Sequence, residues 1–465
     1  MPNKSPIQAI LIGAGQRGAE AYGPYALQHP AEIQFVAVAE PDPERRKKFA
    51  AQHHILAENQ FADWQPLLAK PQLGQAALIC TQDQMHTEPT LAALQAGYDV
   101  LLEKPMATSL TECQQLVRAS ESAGRQLHIC HVLRYTTHFS KLHEVIQSGV
   151  LGQIANVHHR ENVSFWHMSH SFVRGNWRNT AESSPMILAK CCHDLDILLW
   201  LLGDRCETLS SVGNLLHYRP ENAPAGAPKR CLDGCPSAET CPFYAPRVYL
   251  EMIPIWQNQA ASSSGFERWA LQTQSQNPQL ISVLSRAIPR LREITEYRGW
   301  PRAVLANDPT PENVMEALRE GPYGRCVYHC DNDVVDHQVV NMQFERGTSV
   351  TLTMHGHSYL EGRSTQIEGS KATLFAYFGL DGDRIEIHDH FSGELTRYDT
   401  HPQSDAGHGG GDLGLMAAFV RALQAGEGSA ALTTARTSLE SHLMAFAAEE
   451  ARLGEKVVRM ADYRL

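Results

Sequence analysis

Five short apolar runs punctuate the first 130 residues, at 7–12, 35–39, 76–80, 99–102 and 126–130. Each reads as a strand. Stretches of helical periodicity lie between several of them, at 18–28, 88–96 and 110–123, and Gly97 stops the second. Strand alternating with helix predicts an α/β unit with a doubly wound parallel sheet and right-handed crossovers.

Beyond residue 130 the pattern changes. A helical stretch at 139–148 ends at Gly149, a strand-like run covers 154–160, and a strongly apolar helix at 189–202 stops at Gly203. Residues 219–228 are rich in Pro, Ala and Gly and read as a loop. Residues 229–325 hold few strand signals and several Pro and Ser clusters, so they read as an insertion. Strands return at 334–344, 349–355, 364–368, 372–378 and 384–388, followed by helices at 413–423 and 435–451. Strands grouped between helices predict an α+β domain with one open mixed sheet. The expected division is 1–130 for the first domain and 131–465 for the second, with a cysteine-containing insertion at about 220–325.

Length and composition narrow the function. A chain of 465 residues suits two domains. Forty Lys and Arg against 51 Asp and Glu give a net charge of −11, which argues against sequence-independent nucleic-acid binding. No apolar run approaches the ~20 residues of a bilayer span. The first strand starts within seven residues and leaves no room for a signal peptide. Eleven cysteines in such a chain read as cytosolic thiols, so the expected location is the cytoplasm.

Gly13-Ala14-Gly15-Gln16-Arg17-Gly18 follows the first strand and opens the first helix. Gly13 permits the tight turn, Gly15 lets a pyrophosphate approach the backbone, and Gly18 lets helix and sheet pack closely. Glu40 ends the second strand, 22 residues after Gly18. A carboxylate there accepts from the adenosine ribose diol and repels a 2′-phosphate, so NAD is expected over NADP, with Arg17 as the opposing feature. Glu103-Lys104-Pro105 ends a later strand of the same sheet. The proline holds Lys104 extended, aimed into the crevice outside the strand ends. Lys190, His193 and Asp196 are spaced to share one face at the polar end of the 189–202 helix. An imidazole there is the natural proton acceptor for alcohol oxidation.

Together these motifs resemble the Gfo/Idh/MocA family of nicotinamide-dependent sugar oxidoreductases, whose namesakes include glucose-fructose oxidoreductase and inositol dehydrogenase. The resemblance covers nearly the whole chain outside 229–325 and extends to Thr81-Gln82-Asp83-Gln84-Met85-His86. It implies that Lys104 binds the reacting hydroxyl and touches nicotinamide, and that His193 is the acid/base. It places Gly13, Gly15, Gln16, Arg17, Gly18, Glu40, Thr81, His86, Glu103 and Lys104 around NAD. It also implies a second domain whose sheet covers the nicotinamide and builds a homo-oligomer, a dimer or tetramer. One departure stands out. Family members often carry an aspartate four residues before the histidine; here that position is Ala189, followed by Lys190. Asp196 is then the candidate to orient His193, and the extra cation suits an anionic or strongly polar sugar.

The segment 166–178 is dense in aromatic and hydrogen-bonding side chains, a mix that fits stacking on a pyranose and gripping its hydroxyls or an acid group. Trp166, His167, Arg174 and Trp177 are its candidate substrate contacts, with Lys190. His408 joins them by resemblance, from the glycine loop 408–412. Cys231, Cys235 and Cys241, in a proline-rich loop, are candidate ligands of a structural zinc. Three activities remain open. The first is hydride transfer between a secondary alcohol of a sugar, glycoside or cyclitol and NAD. The second is a redox-assisted glycosidase that oxidises, eliminates, hydrates and reduces in turn. The third is a non-catalytic NAD-binding sensor, which Ala189 favours.

Overall fold

The computed structural model describes residues 5–379, 382–401, 408–425 and 433–464, with His408 described in its backbone alone. The first sheet holds β1 (Ile7–Ile12), β2 (Ile33–Ala39), β3 (Gln60–Phe61), β4 (Ala76–Ile79), β5 (Asp99–Leu102) and β6 (Leu127–Ile129). Their order is β3-β2-β1-β4-β5-β6, and every pairing is parallel. The order reverses between β1 and β4, and a ligand crevice opens at such a point. All four residues of β4 are buried, as a strand covered on both faces requires.

The helix Leu110–Ala123 shows how locally its ends are encoded. Ser109 accepts from the Glu112 N–H and gives its own hydroxyl to the Glu112 carboxylate, while Gly124 closes the helix at φ +60°. The first helix departs from expectation. It runs as a wide π-type turn over Gln16–Tyr22 and then as α-helix over Gly23–Gln28. Pro24 has no N–H to continue a regular ladder, which accounts for the change of winding.

The second sheet holds β7 (Ile154–Ser164), β8 (Cys206–Asn214), β9 (His337–Phe344), β10 (Ser349–Ser358), β11 (Gly362–Gly369), β12 (Ala372–Phe378), β13 (Arg384–Asp389), β14 (Leu395–Asp399) and β15 (Val457–Arg459). The order is β14-β13-β12-β11-β7-β10-β9-β8-β15. Only β7 and β10 pair in parallel, so the sheet is mixed. The polar run of β8 and the exposed residues of β14 conceal both strands in the sequence. Alternate residues of β10 are buried, against one core that includes the helices Cys192–Leu202 and Ala435–Leu453.

Two segments cross between the sheets. On the helix Gly411–Ala425, Leu415, Met416, Phe419 and Val420 pack into a core with Ile7, Leu11, Phe35 and Val38 of the first sheet. This brings Asp412 to the glycine turn. The insertion is helical, with Ala245–Tyr249, Ile253–Ser262, Gly265–Gln276, Pro278–Leu284 and Pro311–Glu320. Val248, Tyr249, Met252, Ile255, Trp256, Val314 and Leu318 give it a core of its own. Among the described residues no helix is long and apolar enough to cross a membrane.

Candidate active site

The three glycines of the first turn are required for different reasons. Gly13 sits at φ +93°, and a Cβ there would lie 2.5 Å from the Cys80 carbonyl oxygen. A Cβ on Gly18 would lie 2.2 Å from the Gly13 oxygen. The fold itself needs both. Gly15 is different: it has ordinary backbone angles, and a Cβ would meet nothing closer than Arg45, at 3.8 Å. Packing does not demand glycine there, whereas close approach of a pyrophosphate does. The turn therefore fits a dinucleotide. Glu40 supports the fit from the end of β2. Its carboxylate accepts from the N–H of Ala14 at 2.8 Å and of Asp42 at 3.0 Å, with Arg45 at 3.6 Å.

Arg17 leaves the turn sideways. Its guanidinium pairs with Glu103 at 2.7 Å and with Asp412 at 2.7 Å. Burial alone would raise the Glu103 pKa, but Arg17, the Tyr22 hydroxyl and Lys104 hold it below the ordinary value. The opposing feature noted for NADP is thus spent inside the protein. Gln16 is exposed at the start of the helix. Thr81 turns its hydroxyl to the Met85 carbonyl at 3.0 Å. His86, expected at the cofactor, is fully buried with its ring nitrogens against the carbonyls of Pro105 (2.7 Å) and Thr81 (3.1 Å). It fastens two backbone segments together and does not face the crevice.

Lys104 ends β5, and its Nζ donates to the Ala189 carbonyl at 3.0 Å. Ala189 precedes His193 by four residues, so this contact ties Lys104 to the segment that leads into the His193 helix. The expected continuous helix is broken here, into Met186–Ala189 and Cys192–Leu202, with Lys190 at the break. His193 is 7% exposed and lies edge-on to His131, with ring centroids 5.6 Å apart. Asp196 does not serve His193 as expected. It forms a two-point pair with Arg134, both contacts at 2.6 Å. The His131 ring is fully enclosed 3.8 Å from Asp196, and burial pushes its pKa down to about 3.

Lys190 is also corrected. It pairs with Glu161 at 3.2 Å and Glu361 at 3.6 Å. Arg363 joins the same group through Glu161 (2.6 Å) and Asp194 (2.7 Å), and His159 touches Asp194 at 2.9 Å. Two cations thus face three carboxylates. Burial raises the Glu161 pKa despite Arg363 and Lys190, so the odd proton rests most easily there. Burial works against the charges of Asp194 and Glu361 too, but Arg363 holds the first low and His167 with Lys190 the second.

The segment 166–178 divides. His167 reaches Glu361 at 2.6 Å. Trp177 donates to Asp83, in the loop after β4, at 2.9 Å. Trp166 is 5% exposed and belongs to the insertion's core. Arg174 is fully enclosed, donating to the carbonyls of Phe243 and Arg325, both at 2.7 Å. It is an internal fastener and not a substrate grip. The argument for an anionic substrate rested on Lys190 and Arg174, and both are spent internally. His408 opens the turn His408–Gly410, but its side chain lies outside the described residues.

The zinc expectation gains no support. Among the described residues no three His, Cys, Asp or Glu side chains are arranged to hold a metal ion. The Arg174 guanidinium lies 3.6 Å from the Cys231 sulfur, where it opposes a bound cation. Cys235 and Cys241 are free thiols, as is Cys231.

Sequence reasoning missed Asp412, Glu161, Glu361, Arg363 and His131. Each has its partners at a distance along the chain, where no local pattern announces them.

Comparison with known proteins agrees with this architecture. The profile described as "Oxidoreductase family, NAD-binding Rossmann fold" matches residues 7–131, and that described as "Oxidoreductase family, C-terminal alpha/beta domain" matches 143–232. The chain is 27% identical over 211 residues to 2,7-anhydro-N-acetylneuraminate hydratase of Escherichia coli (strain K12), covering 45% of this chain and 54% of that protein. It is 32% identical over 174 residues to inositol 2-dehydrogenase of Pseudomonas savastanoi pv. phaseolicola, covering 37% and 47%. The chain therefore spans about half the length of each relative. An inositol dehydrogenase homolog complexed with NAD+ from Azotobacter vinelandii has the same fold, with TM-score 0.64 at 16% identity over 98% of both chains.

Proposed function

Because the chain belongs to the Gfo/Idh/MocA oxidoreductase family, we propose that it is an NAD-dependent oxidoreductase acting on a secondary alcohol of a neutral sugar, glycoside or cyclitol. The observation that carries this reading is the Lys104–Ala189 contact, which brings a lysine at a strand end of the dinucleotide sheet to the short helix just before the one that carries His193. The turn at Gly13, Gly15 and Gly18 would hold the pyrophosphate, and Glu40 the adenosine ribose. NAD, when bound, supplies the hydride acceptor.

The protein's own residues handle the rest. The Lys104 ammonium exchanges its bond to the Ala189 carbonyl for one to the substrate oxygen, which favours the oxygen as it loses its proton. The His193 imidazole accepts that proton and returns it in the reverse direction. His167 and Trp177 are the remaining candidates, from segment 166–178, to meet the substrate's other hydroxyls. Glu361 fixes the first and Asp83 the second. The mixed sheet's half-exposed face fits a homo-oligomer, and eleven free thiols fit the cytoplasm.

A panel of neutral polyols and sugars, followed by NADH absorbance, tests the reading. At least one should give turnover with NAD, more weakly with NADP. Failure of NAD to bind, or equal or tighter binding of NADP, contradicts it. The hydratase relative favours a second outcome, in which NAD is needed in catalytic amounts and no NADH accumulates. Product formation without a rise in NADH identifies that case.

A further inference from the structure

The insertion is seated on the second sheet. The Asn258 amide donates to the Tyr359 carbonyl at 2.6 Å and the Ser262 hydroxyl to the Gly379 carbonyl at 3.4 Å. Its segment 297–307 leaves that seat and meets residues on both banks of the crevice. On the second-domain bank, the Trp300 ring lies 5.0 Å from the rings of Trp166 and His167 and 5.3 Å from that of His170. His167 is the residue that holds Glu361, beside Lys190. On the dinucleotide bank, the Asn307 amide donates to the Asp42 carboxylate at 3.0 Å. Asp42 stands two residues beyond Glu40 and caps the helix Pro43–Gln52. Tyr297 opens this stretch; burial raises its pKa, and the charge of Glu20, after the glycine turn, adds to the rise. Its hydroxyl donates to the Trp300 carbonyl at 2.9 Å, which closes a tight turn at the start of the stretch.

A segment held on both banks crosses what lies between them. Between Glu40 on one side and Lys104 with His193 on the other lies the path of an extended dinucleotide. We propose that residues 297–307 form a strap across that path, which lifts to admit NAD and lifts again to release it. The inference rests on the NAD reading above. A tie that spans the path has to open for entry as well as for exit. Its tie on the dinucleotide bank is a solvent-exposed hydrogen bond to a carboxylate, strong enough to slow exchange and weak enough to open.

The experiment uses the full chain and NADH as the probe, with fluorescence followed by stopped flow. Release is read by displacement into excess NAD, and entry by mixing. Asn307→Ala removes the tie, and Asn307→Asp places a second carboxylate against Asp42. Asn307 is exposed, so neither change threatens folding. With Asn307→Ala, entry and release both quicken by about two- to tenfold, the worth of one such bond, and Kd stays the same. Asn307→Asp quickens both further, and added salt reduces its excess over Asn307→Ala. Unchanged rates overturn the strap. Faster release with unchanged entry also overturns it, because Asn307 then touches bound coenzyme and gates nothing. If unmodified protein binds no NADH at all, the cofactor reading falls and the strap with it.

Discussion

Two clusters of buried charge flank the crevice, and they are built on different plans. At the dinucleotide end, one cation, Arg17, sits between two carboxylates from different parts of the chain, Glu103 after β5 and Asp412 on the late helix. At the substrate end, Lys190 and Arg363 sit among Glu161, Glu361 and Asp194, all in the second half of the architecture. The first cluster joins domains. Its members are neighbours of the glycine turn and of Lys104, so it ties the turn to the helix Gly411–Ala425. The second is drawn from the second sheet and the 186–202 segment, and His167 joins it through Glu361. A lysine next to a catalytic histidine is therefore not automatically a substrate ligand. Whether it is depends on the carboxylates that other strands bring to it.

The largest effects are expected at the proposed reacting centre, Lys104 and His193. Lys104→Ala and His193→Ala should each lower turnover by ~10²–10⁴ while NADH still binds. Steady-state rates beside an NADH titration check this. Near-normal turnover in His193→Ala would remove it from the acid/base role.

Exchanging one arginine in each cluster tests the contrast itself. Arg363→Met strands Glu161 and Asp194 in the interior and should cost about 3–5 kcal/mol of stability, with NADH affinity of the folded protein unchanged. Arg17→Met should cost less, about 1–3 kcal/mol, because its side chain is 29% exposed, yet it should weaken NADH binding. Denaturant midpoints and NADH titrations on both variants separate the two. If Arg363→Met weakens NADH binding more than Arg17→Met, the division of labour is the reverse of ours.

Glu161 aside, whose pKa burial raises, the carboxylates of the two clusters should not respond to acid at first. Glu103, Asp194 and Glu361 are held below their ordinary values, so they stay ionised well into acid. Four buried histidines respond earlier. Burial lowers His131 and His138 to about 3 and His128 and His442 to about 4. In the unfolded chain each ring takes up a proton near pH ~6.5, whereas in the fold it stays neutral. Their contribution is therefore complete above about pH 6.5 and is lost as the pH falls toward 4, by about 1.4 kcal/mol per pH unit for each ring. Denaturant midpoints at several pH values measure this, and a flat profile between neutrality and about pH 5 would refute it. The smallest effect belongs to the surface. Arg178→Ala breaks pairs with Asp331 and Glu182, both more than half exposed, and should cost under about 1 kcal/mol by the same measurement.

The glycine turn, Glu40 and Glu103-Lys104 were legible because their roles depend on spacing within one strand–turn–helix unit. The strands of both sheets were legible where apolar residues outnumber polar ones. They were missed at β8 and β14, whose polar residues carry no periodic signal, and at β3 and β15, which are only two and three residues long. Arg17, Lys190 and Arg174 were visible as charges, but their assignments depend on Asp412, Glu361 and Phe243, which lie 395, 171 and 69 residues away. No local pattern encodes such partners. The insertion was visible only as an interruption, and its reach to Asp42 had no signature at all.

If Asn307 sets how often the coenzyme leaves, the protein's bookkeeping differs from that of a freely exchanging dehydrogenase. A coenzyme that outlasts many turnovers has to be restored where it was used, so each substrate oxidised must be matched by a reduction in the same crevice. The rate in a cell would then follow the number of protein copies and not the balance of oxidised to reduced NAD in the surrounding pool. Asn307, far from the reacting carbon, would thus decide whether the enzyme draws on a shared currency or keeps its own.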